Sequence, residues 1–177
     1  MSVATRDACV PVFLRYLGRL RALLDAAEAH ASSRGWPASQ LLGARLADDM
    51  NPFATQVVIT ANFALRACFP LAGQAIPPDE RVGAGFDGLR ARIDRVCELL
   101  NALAPELFEG AQARVLQSQA GEALVSLPAP EFLLQYAFPN FFFHLSMVYA
   151  ILRSRGVVIG KADFDGFHAY PTTASRS

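Results

Sequence analysis

The sequence predicts an all-α fold, a four-helix bundle with one small β-hairpin between its third and fourth helices. Three observations predict it. Apolar residues recur at helical spacing in long stretches, one short segment carries a turn flanked by strand-like runs, and a stretch near the C-terminus is almost free of charge. The 177 residues are 53% apolar and 18% charged, enough for one domain with a large core. We expect a single bundle domain over residues 1–168, with 169–177 a flexible C-terminal tail.

The first helix is expected from Val10 to about Arg34. Val10, Phe13, Leu14, Leu17, Leu20, Leu24 and Ala27 repeat at its apolar spacing, while Arg21 and Asp25 lie four apart on another face. Pro11 suits a first turn, where its missing N–H costs little, and Gly35 with Pro37 suits the stop. The connector LLGARLADDMNP has room for one short helical turn. A second helix follows from about Pro52 to Phe69, with Asn51 as its expected N-cap. No formal charge occurs between Met50 and Leu65, so protein should surround this helix.

The segment AGQAIPPDERVGAG reads as a loop. The third helix is the clearest in the chain, with Phe86, Leu89, Ile93, Val96, Cys97, Leu100 and Leu103 on one face and Arg90 and Asp94 outside. ARVLQS and EALVSL flank Gln-Ala-Gly and predict the hairpin, which must lie against the helices to be stable. The fourth helix is expected to start near Pro139 and end at Gly156.

That last helix raises the question of a membrane. No Asp, Glu, Lys or Arg occurs from Phe132 to Leu152, and about 20 apolar residues suffice to cross a bilayer. Gln135, Asn140, His144 and Ser146 would need partners in hydrocarbon, and Pro139 would break the backbone ladder. A buried central helix is the better reading, and no membrane partner is expected. The 16 basic and 16 acidic residues cancel, so nothing argues for nucleic acid either. The N-terminus MSVATRDACVPVF lacks an uninterrupted apolar core of the signal-peptide kind, and a cytoplasmic location is expected.

Cys9, Cys68 and Cys97 form no CxxC pair and sit among apolar residues, as buried structural thiols do. Gly83-Ala84-Gly85-Phe86-Asp87-Gly88 matches GxGxxG literally, but no strand precedes it and no parallel sheet surrounds it, so a helix-start loop is expected. His30 is expected as a surface residue near the end of the first helix, and His168 lies towards the tail. His144 alone has an apolar setting, with Asn140 on the same face four residues earlier. Bundle metal sites take paired His or carboxylate ligands, and that pair is missing. His144 is therefore the one plausible ligand, and no cofactor is expected. Asp48 and Asp49 suit the positive end of the second helix, or one of them reaches inward towards His144 and Asn140.

Three segments, VPVFLRYLGRLRALLDAAEAHA, ARLADDMNPFATQV and FPNFFFHLSMVYAILRSRGVVIGKADF, resemble an uncharacterised bacterial domain-of-unknown-function family among the DinB-like four-helix bundles. The likeness runs from about Val10 to Phe164. It implies an up-down-down-up bundle, often dimeric, with a hairpin before the last helix. The superfamily includes metal-dependent hydrolases and thiol transferases that hold a divalent metal with three histidines, one from the start of the second helix and an HxxxH pair on the last. Here the second helix offers Asp49 and Asn51, and the last offers His144 with Val148 four residues on. Two readings stay open. One is a non-catalytic or small-ligand-binding homodimer. The other is a divergent enzyme with a pocket between the second and fourth helices, lined by Asp49, Asn140, His144 and either Tyr149 or Lys161, and using His144 as general acid/base or sole nitrogen ligand.

Overall fold

The computed structural model describes residues 5–168; the tail expected over 169–177 lies outside them. Helix α1 spans Thr5–Ser33 and buries Cys9, Val10, Phe13, Leu17, Leu20, Leu24 and Ala27 along one stripe. It begins before Val10, so Pro11 falls inside the helix rather than in its first turn. Pro11 is exposed, and solvent can satisfy the carbonyl that its missing N–H leaves without a donor. At the other end Gly35 takes φ 65°, and Trp36 N–H reaches back to Ala31 O at 2.9 Å. That left-handed residue closes the helix as expected.

Helix α2 is one short turn, Ala38–Leu42. Helix α3 spans Phe53–Leu71. Its last non-helical residue is Pro52, in extended conformation, with no side-chain cap. Asn51 is therefore not the N-cap; its carbonyl accepts from Gln56 Nε2 at 3.3 Å. Helix α4 spans Gly85–Asn101. The loop before it explains the glycine spacing: a β-carbon on Gly88 would meet Gly83 O at 2.0 Å. The chain crosses its own helix there, and glycine is needed for that approach rather than for a nucleotide.

After α4, short 3₁₀ turns at Pro105–Phe108 and Ala111–Ala113 lead into strands β1 (Val115–Ala120) and β2 (Ala123–Pro128). The strands pair antiparallel from Val115↔Pro128 to Ala120↔Ala123, leaving Gly121 and Glu122 as the turn. Arg114 ties this region to the end of α3 by donating to the carbonyls of Leu71, Leu107 and Glu109.

The last long helix starts at Phe138, next to Pro139 as expected. The chain winds through α5 (Ala129–Glu131) and one wide π-helical segment, Phe132–Ala137, into α6 (Phe138–Ser154). The wide segment precedes the residue that has no N–H to give, so the ladder loosens where Pro139 would otherwise collide with it. Gly156 (φ 81°) ends the helix, with Val157 N–H on Leu152 O at 3.0 Å. A short α7, Lys161–Asp165, which periodicity gave no sign of, lies against α1.

Helix α3 packs on both α4 and α6, and α1 packs on α4. Phe13 and Tyr16 of α1 meet Phe138, Phe141 and Phe142 of α6 with ring centroids 4.8–5.0 Å apart. Phe13, Phe53, Phe132 and Phe141 are fully buried. Among the described residues no helix is long and apolar enough to cross a membrane. The charge-free stretch buries one face, Phe141, Leu145, Val148, Ile151 and Leu152, in the bundle and leaves Leu134, Pro139 and Phe143 exposed on the other.

Candidate functional site

The site is built on the interface between α3 and α6. Along α3 the buried face runs Phe53, Gln56, Val57, Thr60, Ala61, Ala64, so Gln56 and Thr60 take places that helical spacing reserves for apolar side chains. Gln56 is 2% exposed. A buried amide must find partners or lose the hydrogen bonds water gave it. Its Nε2 donates to Asn51 O, which fixes the orientation of the amide and turns Oε1 towards α6. There Oε1 lies 2.7 Å from Nδ1 of His144.

That contact determines the tautomer. Oε1 of a glutamine only accepts, so His144 carries its proton on Nδ1. Burial pushes the imidazole below its ordinary value of 6.5, because the charged form loses more hydration than the neutral one. At neutral pH His144 is therefore a neutral ring with a lone pair on Nε2. Phe63 stacks on it at 5.8 Å and 21°, and Phe143 meets it edge-on at 5.2 Å. Asn140, one turn earlier on α6, donates Nδ2 to Tyr136 O at 2.7 Å, a carbonyl within the π-helical segment.

The other expected site residues lie apart from His144. Asp49 is exposed in the turn before α3, and the group that meets His144 from this part of the chain is Gln56. Tyr149 faces the opposite side of α6, with its ring 5.8 Å from Phe164 of α7. Lys161 is exposed at the start of α7. The structure thus brings together His144 and Asn140 and adds Gln56 and Phe63, which the sequence reading had not singled out. Their signal was faint but present: an amide at a core position of a charge-free helix.

His30 is half-buried rather than a surface residue. Its ring lies 5.3 Å from Trp36, and its Nε2 has no hydrogen-bond partner. Burial raises the thiol of Cys68, with Cys9 adding to the effect, and burial also raises Cys97. Raised thiols are poor nucleophiles, in keeping with structural roles.

This architecture, a helical bundle with one hairpin before its last long helix, is that of the DinB-like proteins. Residues 6–165 match the family described as Domain of unknown function (DUF1993), and the chain belongs to that family. It is also similar to the crystal structure of a DinB family member protein from Shewanella denitrificans. The two share 32% identity over 96% of this chain and 95% of that one, with a TM-score of 0.82. No curated protein gives a significant match.

The three-histidine metal centre that a DinB-like fold implies is a poor fit to these residues. At the α3–α6 interface the donors are one imidazole and two amides, and one nitrogen of that imidazole already holds Gln56. Neutral amides are weak ligands for zinc-type ions, which favour imidazole, thiolate and carboxylate. Among the described residues no three His, Cys, Asp or Glu side chains come together as a ligand group.

Proposed function

We propose that this chain is a non-catalytic, small-ligand-binding homodimer of the DinB-like class, acting in the cytoplasm, in which a hydrogen-bonded amide–imidazole pair replaces a three-histidine metal centre. The observation that carries this reading is the 2.7 Å contact between Gln56 Oε1 and His144 Nδ1. It satisfies a buried amide and orients the ring, and among the described residues no carboxylate or second imidazole joins it in a ligand group. The dimer is supported by the outer face of α6, where Pro139, Phe143 and Met147 follow one another at helical spacing without a charge, and Phe143 is 53% exposed. Light scattering of the native protein and of Phe143→Glu tests it, with a dimer expected for the first and a monomer for the second.

One observation favours the alternative of a divergent enzyme with its pocket around His144. The ring is held neutral below its ordinary pKa, as a general base requires. Elemental analysis of protein purified without chelator separates the metal-dependent form of that reading from ours. We expect no stoichiometric divalent metal in native protein. One metal per chain, lost in His144→Ala, would overturn the binding-protein reading.

A further inference from the structure

A second polar constellation, separated from His144 by the Phe63 ring, lies where α3, α4 and the hairpin meet. A groove of about 620 Å³ is lined there by Asn62, Arg66, Asp79, Arg92 and Ser118, with apolar walls that include Ile59 and Leu124. Its volume falls in the range of small-molecule sites.

The two arginines are held in different ways. Arg92 is only 6% exposed. Its Nε and Nη2 both donate to Asn62 Oδ1, at 3.1 and 2.6 Å, while its Nη1 has no acceptor. Among the described residues its carboxylate partner is Asp79, which lies at 3.6 Å and is 83% exposed at the rim. Asn62 Nδ2 holds that carboxylate at 3.2 Å. Arg66 sits over the Phe63 ring at 4.6 Å. It donates through Nη2 to Ser118 Oγ at 2.7 Å, to Tyr136 OH at 3.2 Å and to the Gln119 carbonyl. All three acceptors are neutral, so they orient the guanidinium without neutralising it. The lining thus carries two positive charges against one negative, and a buried guanidinium N–H left without an acceptor is costly.

We propose that this groove binds an amphipathic anion, a small molecule with a carboxylate or phosphate head on an apolar body. The head would lie between the Arg66 and Arg92 guanidiniums. Ile59 and Leu124 would cover the apolar part. Guanidinium donors suit both oxyanions because their planar fork matches carboxylate and phosphate geometry. Asp79 opposes the ligand by competing for Arg92, which makes it the residue whose loss should help. The proposal rests on the reading of this chain as a ligand binder and supplies the class of ligand.

Isothermal titration with octanoate, octyl phosphate and neutral octanamide tests it, and the first two arms tell a carboxylate site from a phosphate site. At least one anion should bind, with octanamide weaker by about 10-fold or more, the scale of a charged hydrogen bond. Arg66→Met should weaken the anion by a similar factor. Asp79→Asn, at an exposed position that leaves the fold alone, should tighten it by roughly 3-fold or more through loss of a competing charge. Equal binding of octanamide and octanoate, or no binding of either anion, would overturn the proposal. Anion binding unchanged in both variants would also overturn it while leaving the binder reading in place. A ligand consumed during the titration would do the reverse, sinking the binder reading and leaving the groove.

Discussion

Two long interfaces of this bundle are held by different chemistries. Between α1 and α4 the polar contacts are ionic and wet. Arg90 of α4 reaches Asp25 of α1 at 2.8 Å and also Glu28, while Arg21 of α1 meets Asp94 of α4 at 3.0 Å; Arg90 also pairs within its own helix with Asp87 at 2.9 Å. The carboxylates there are about half exposed or more. Among the described residues no ion pair joins α3 to α6, and the polar side-chain contact between them is one neutral amide on one neutral imidazole. Many charges in water contribute little, because solvent screens them and long side chains lose freedom in pairing. A pair between a buried amide and a half-buried imidazole contributes more, since removing one partner strands the other where little water can replace it. The difference locates the fold's sensitive polar point at Gln56 and His144 rather than where ion pairs are most numerous.

Mutations on the two interfaces sharpen this contrast, and the largest effect belongs to the uncharged one. Gln56→Leu leaves Nδ1–H of His144 without an acceptor and should lower stability by about 1–3 kcal/mol in denaturant unfolding. Adding His144→Leu should restore much of that loss, because removing both partners removes the stranded donor. A double variant that is worse than the sum of the singles would break the comparison.

A smaller effect is expected on the ionic side. Arg21→Ala removes pairs to Asp25 and Asp94 that are about half exposed, and a loss of roughly 0–1 kcal/mol is expected, shrinking in high salt. A loss as large as that of Gln56→Leu would contradict the ranking.

The smallest effect is a slope with pH. His144 is held below 6.5 by burial, so as pH falls the unfolded chain takes up its proton before the folded one does. Folding stability is then complete above about 6.5 and declines as pH drops through the window just beneath it. The decline should be shallower in His144→Leu than in native protein, since His30 and His168 remain in both. Matching slopes would show that the ring is not desolvated.

The fold was more legible in the sequence than the site was. Leu89, Ile93, Val96 and Leu100 repeat so regularly that α4 needed no tertiary information, and Gly35 and Gly156 marked two helix ends by conformational demand. Pro11 and Asn51 misled because helix starts depend on which neighbouring residue turns extended, and a one-residue shift moves the cap to Pro52. The π-helical segment before Pro139 follows from packing a proline-interrupted helix into a bundle, which no local pattern encodes. At the site, His144 and Asn140 stood out as polar residues in an apolar run. Gln56 did not, because its role comes from a contact 88 positions away in the chain. Asp49 looked suitable by charge and position, but an exposed turn keeps it in water.

The central claim is that Gln56 holds Nδ1–H of a neutral His144. Long-range proton–nitrogen correlation NMR of imidazole-labelled protein at pH 7.5, assigned through His144→Leu, reads this directly. A protonated Nδ1 with a bare Nε2, unchanged on adding Zn²⁺, is the expected result. A ring protonated on Nε2, or one whose nitrogens shift in step with one equivalent of Zn²⁺, would contradict the account.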